Sequence, residues 1–85
     1  MRLYFGISKG KLEVTNLDGG PDKLLGSFGK LDRARFVEFL RVVIAQGWDG
    51  SGAMFSSSMN HAPEYGWPDN DPEDFVRSCI REAGR

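Results

Sequence analysis

His61 is the only histidine of the chain. It follows three consecutive serines, Ser56, Ser57 and Ser58, and precedes Glu64. Those residue types are the parts of nucleophilic hydrolysis: a hydroxyl, an imidazole to take its proton and a carboxylate to orient the imidazole. Their spacing argues against it. All of them lie within nine positions, whereas such triads are assembled from separate segments, and no Gly-x-Ser-x-Gly turn exposes a serine. The expectation is a loop histidine, solvated or bonded to local backbone. A small hydrolase-like enzyme built on His61 is the alternative, and it requires a concave pocket and a histidine perturbed by a defined partner.

Three other patterns lack the residues that their chemistry needs. The acidic run Asp69-Asn70-Asp71-Pro72-Glu73-Asp74 resembles the start of a calcium loop, but Asp74 stands where the sharp-turn glycine belongs and Ile80 where the bidentate glutamate belongs. Helix capping accounts for most of these acids. What remains is an acidic knob suited to a basic partner. Gly29-Lys30 is followed by Leu31 rather than Ser or Thr, and Leu24 replaces the first glycine of a phosphate loop. The glycines at 47, 50 and 52 fit no dinucleotide fingerprint. Cys79, the only cysteine, excludes an internal disulfide and falls on the inner side of a helical pattern, where a buried structural thiol is expected. No cofactor or metal is implied.

One surface-forming candidate is left, Tyr65-Gly66-Trp67-Pro68. Pro63 and Pro68 stiffen it, and a stiff loop bearing Tyr and Trp loses little entropy on contact. With the adjoining polar residues it gives a candidate protein-binding site of Tyr65, Trp67, His61, Glu64 and Asp69. Trp67 has a second reading, as a plug folded over a small core.

The chain has 85 residues, enough for one domain over positions 1–85 near the lower limit for folding on a hydrophobic core. An apolar fraction of 40% argues against disorder. Eleven basic residues oppose twelve acidic ones, which argues against nucleic-acid binding through a general basic field. Charge is uneven along the chain: residues 1–41 hold eight Lys or Arg and five acids, and residues 42–85 hold three and seven. The first apolar stretch is interrupted by Gly6, Ser8 and Lys9 too early for a signal peptide, and no run approaches the ~20 residues of a membrane span. A cytoplasmic protein without a membrane association is expected.

These candidates must be positioned by a small set of elements. Leu3, Phe5 and Ile7 alternate with Arg2, Tyr4 and Gly6, and Leu12 and Val14 alternate with Lys11, Glu13 and Thr15. A two-residue turn at Lys9-Gly10 pairs Ser8 with Lys11, Ile7 with Leu12 and Phe5 with Val14. Gly19, Gly20 and Pro21 mark a turn between Asp18 and Asp22. Residues 23–28 read as a third strand weakened by Gly26, or else as an irregular connection anchored by Leu24, Leu25 and Phe28.

A first helix follows, capped by Asp32 and stapled by Leu31 and Phe36, with Phe36, Phe39, Leu40, Val43 and Ile44 as its apolar stripe. Gly47 ends it and Trp48 folds back onto it. Ala53 to Met59 reads as a strand. Asp71 and Pro72 start a second helix whose inner stripe is Phe75, Val76, Cys79 and Ile80, with Glu73 and Arg77 paired outside.

The expected fold is α+β, in the order β-β-(β)-α-β-α: a small, mostly antiparallel sheet with two helices on one face. Its open face would carry Arg2, Tyr4, Lys11, Glu13, Thr15, Met54, Ser56 and Ser58. The function expected is a non-catalytic protein-binding module, an adaptor, inhibitor or accessory subunit. Compact inhibitors of phages and mobile elements offer an analogy of size and charge balance only. Single-stranded nucleic-acid binding on the open face is the alternative, with Tyr4 stacking and Arg2, Lys9, Lys11 and Lys30 on phosphates, against the intrusion of Glu13.

Overall fold

The computed structural model describes residues 1–18, 23–68 and 71–85. The turn cluster at 19–22 and the first two residues of the acidic run, Asp69 and Asn70, lie outside the described residues. Strands β1 (Leu3–Ser8) and β2 (Lys11–Asn16) form the expected hairpin. Ile7 opposes Leu12, Phe5 opposes Val14 and Ser8 opposes Lys11. Lys9 and Gly10 take φ of 53° and 77°, the positive pair that matches the right-handed twist of the flanking strands. Lysine tolerates that conformation here because the register on both sides is set by burial of Leu3, Phe5, Ile7, Leu12 and Val14.

The third strand forms: β3 (Lys23–Phe28) runs antiparallel to β2. The pairing shifts between Val14 and Thr15, so that Val14 opposes Gly26 and Thr15 opposes Leu24. Leu25 is the extra residue of a bulge, and it packs against the core. The bulge turns Leu24 to the opposite, open face.

Helix α1 (Arg33–Ala45) buries Phe36, Val37, Leu40 and Val43. Its start differs from the expectation. The Asp32 carboxylate makes no cap bond to the helix. It accepts from the Gly29 amide at 2.8 Å, while the Asp32 amide donates to the Gly29 carbonyl at 3.0 Å. That tight turn throws Leu31 outward to 98% exposure, so no staple with Phe36 forms. The helix end is as expected. Gly47, at φ 109°, donates to Ile44 and the Trp48 amide donates to Val43, the paired bonds of a Schellman motif, with Trp48 buried.

Strand β4 is Ala53–Phe55 alone, shorter than the expected 53–59. It runs parallel to β1, so the sheet is mixed, in the order β3-β2-β1-β4. Ser56 ends the strand by capping a 3-10 segment over Ser57–Tyr65, its side chain accepting from the Ser58 amide. Helical propagation brings Met59 and Ala62 to the core, which an extended chain carrying Ser57 beside Met59 does not do. The segment is broken at His61, whose φ of −127° is not helical.

Helix α2 (Pro72–Ala83) starts at Pro72 and buries Val76 and Cys79, with Phe75 and Ile80 partly covered. Asp71 makes no side-chain cap bond to it. The Glu73–Arg77 pair forms at 2.8 Å. Both helices cover one face of the sheet. Phe36 meets Phe5 at 6.4 Å and Phe75 at 5.9 Å between ring centroids, which joins sheet, α1 and α2 in one core. Arg33 fastens the helices from outside through Ser78 and Glu82.

Candidate functional site

The residues of the expected loop site separate in the structure. Trp67 is 1% exposed and stacks edge-on against Phe75, with ring centroids 5.5 Å apart. It is a core plug and not a contact residue, because the left-handed turn at Gly66 (φ 93°) and the bond from the Trp67 amide to Ala62 fold it inward. Tyr65 stays 46% exposed. Its carbonyl accepts from the Gly10 amide at 2.7 Å, which fixes it beside the hairpin turn. His61 and Glu64 are exposed, one turn apart, with 3.9 Å between Nδ1 and Oε1. Asp69 lies outside the described residues.

The serine run has a structural use. Buried Ser58 accepts the Ile7 amide at 2.9 Å, and its hydroxyl lies 3.1 Å from that of Ser56. Both hydroxyls sit against Gly6, where a Cβ would meet Ser56 at 3.2 Å and Ser58 at 3.4 Å. The Ser58 oxygen is therefore engaged by backbone at the sheet edge. The Cys79 thiol is pushed up by burial, with Arg33 acting against that and Glu82 with it; a buried, protonated thiol is a poor nucleophile. Among the described residues no group of three or more His, Cys, Asp or Glu could hold a metal ion, and no helix is long and apolar enough to cross a membrane.

A concave surface lies instead on the open face of the sheet. The registers align Leu24 with Thr15, Thr15 with Tyr4, and Tyr4 with Met54. One row therefore crosses all four strands. With Leu17 and Glu13 it lines a groove of about 570 Å³. Leu24 and Met54 are 55% and 42% exposed, well above a covered core position. Glu13 stands one row along, opposite Gly6 in β1 and Ser27 in β3. Two basic residues nearby are engaged elsewhere: Arg2 bonds Asp18 at 2.8 Å, and Arg35 bonds Asp32 and the Ser27 carbonyl. Lys11 shares the open face with Glu13, two residues along β2.

Alternation in β1, β2 and the strand beginning at Ala53 places Tyr4, Glu13, Thr15 and Met54 on this face. Leu17 follows from extending the same alternation by two residues. Leu24 does not: Gly26 marks a weak point in the strand, but the glycine alone does not say that Leu25 is the extra residue that turns Leu24 over. The groove and Tyr65 lie toward opposite ends of the hairpin: Tyr65 bonds Gly10 in its turn, and Tyr4 is about 13 Å of extended chain from Ser8, where β1 enters that turn. Comparison with protein-family models, with curated proteins and with solved structures gives no match to this chain.

Proposed function

We propose that this chain is a small non-catalytic protein-binding module, an adaptor, inhibitor or accessory subunit, that grips its partner on the open face of its sheet. The observation that carries this reading is the row Leu24, Thr15, Tyr4 and Met54, which spans four strands and leaves two large apolar side chains half in water. Exposed apolar side chains gathered along one concave row, rather than scattered singly, favour a contact site. An aromatic residue at its centre supplies a rigid anchor. Tyr65, His61 and Glu64 form a separate exposed patch near the hairpin turn, a secondary contact at most for a partner seated in the groove.

The test is recovery of a cross-linked partner by wild type, by a Tyr4→Ala, Met54→Ala double variant and by a Tyr65→Ala, His61→Ala double variant, each verified as folded. Loss in the first and retention in the second supports the groove. The reverse outcome moves the interface to the 3-10 segment.

A further inference from the structure

We infer that Glu13 makes the groove selective for a partner segment that carries an arginine or lysine between apolar side chains. This rests on the groove being the contact surface. Glu13 is half-buried in the groove wall, and among the described residues it forms no ion pair. Its cross-strand neighbours supply no charge, Gly6 having no side chain and Ser27 only a hydroxyl. Arg2 and Arg35 are held by Asp18 and Asp32. The groove therefore presents, beside an apolar row, a carboxylate that no cation pairs with among the described residues, Lys11 being two residues along β2 on the same face.

A carboxylate partly withdrawn from water gains most from a cation that reaches it with hydrogen bonds, and a guanidinium does this with two donors. The Tyr4 ring lies diagonal to Glu13 across β1 and β2, where its face can take the same cation. Leu17, Leu24 and Met54 receive the flanking apolar side chains. A phosphate backbone laid on this face meets the Glu13 charge instead, which disfavours nucleic acid as the occupant.

The experiment is an amide-resolved NMR titration of wild type and Glu13→Gln with two probes, acetyl-Leu-Arg-Leu-amide and the same peptide with citrulline for arginine. Citrulline keeps the shape while removing the charge and replacing one terminal NH2 donor by a carbonyl oxygen. The expected result is shifts at Tyr4, Thr15, Leu17, Leu24 and Met54, with about tenfold tighter binding of the arginine peptide to wild type, as a charge-assisted hydrogen bond provides. That preference disappears in Glu13→Gln and weakens with salt. Equal affinity for the two peptides, or a preference that survives in Glu13→Gln, overturns the assignment of Glu13 and leaves the groove reading standing. No shift in the groove with either peptide sinks both. Groove-dependent dimerisation of the free protein also overturns this inference, since the occupant is then a second copy.

Discussion

The Ser58 hydroxyl accepts the Ile7 amide at 2.9 Å, and so closes the edge of β1 where β4 has already ended. β4 serves β1 only as far as the bond from the Ser56 amide to the Phe5 carbonyl. Beyond it the chain turns into the 3-10 segment, and one side chain replaces a ladder acceptor. A buried donor left without its acceptor costs about 1–3 kcal/mol. Ser58→Ala should lose that much in urea denaturation, with faster hydrogen exchange at the Ile7 amide. A loss below about 0.5 kcal/mol, typical of a neutral surface change, would mean that the bond is replaceable.

Gly66 and Gly10 touch across the same edge. A Cβ on Gly66 would stand 2.8 Å from the Gly10 nitrogen, and φ at Gly66 is 93°. Gly47 has a similar φ, 109°, but no atom near its Cβ position. Both alanine variants carry the left-handed strain of about 1–2 kcal/mol, and only Gly66→Ala adds a backbone collision. Gly66→Ala should therefore be the more destabilised of the two by thermal denaturation, and it should displace the Tyr65 carbonyl from Gly10. Equal melting temperatures would remove the collision as a cause.

What could be read from the sequence follows the range of the interactions. The hairpin register was legible because the alternation on Leu3, Phe5, Ile7, Leu12 and Val14 and the turn at Lys9-Gly10 demand the same pairing. The Gly47-Trp48 stop was legible because a Schellman motif is local. The end of β4 was not. Serines suit a strand surface as well as a 3-10 cap, and the choice is made by Ile7, fifty-one residues away from Ser58. The start of α1 failed for a related reason: Asp32 had two amides within reach and bonded backward to Gly29. On the open face, Tyr4, Thr15 and Met54 were placed by alternation, while Leu24 depended on a bulge.

Acid stability should respond with opposite signs to two kinds of aspartate. Asp18 is held below its ordinary value of 3.8 first by the Arg2 hydrogen bond, and Asp32 first by the Gly29 amide. A carboxyl depressed on folding stabilises above its unfolded pKa, and the contribution fades as pH falls through the folded one. Asp71 is raised, first by the charge of Asp74; ionised, it opposes folding, and that penalty is absent at pH low enough to protonate it. Asp18→Asn and Asp32→Asn should flatten the loss of stability below about pH 4. Asp71→Asn should raise stability at pH 7 and leave the acid limb steeper. Denaturation midpoints from pH 2 to 7 check both signs, and a parallel shift of all three curves would contradict the argument.

Trp67 and Tyr65 stand two residues apart, and their removal should have consequences of different kinds. Trp67 fills the space beside Phe75 at 1% exposure, so Trp67→Ala leaves a cavity and costs about 3–5 kcal/mol. A chain of 85 residues has total stability of roughly 4–13 kcal/mol, so that variant loses a large share of it and unfolds if the total is at the lower end. Trp67→Phe keeps part of the ring volume and should remain folded with a lowered midpoint. Tyr65→Ala keeps the carbonyl that bonds Gly10 and removes an exposed ring, and should change stability by no more than about 0.5 kcal/mol. Near-ultraviolet circular dichroism with urea titration separates the cases. A binding defect in Trp67→Ala would thus report a lost core, whereas a defect in Tyr65→Ala would report a lost contact. If Tyr65→Ala instead unfolds the chain, the ring is part of the fold and the 3-10 segment ceases to be a candidate surface.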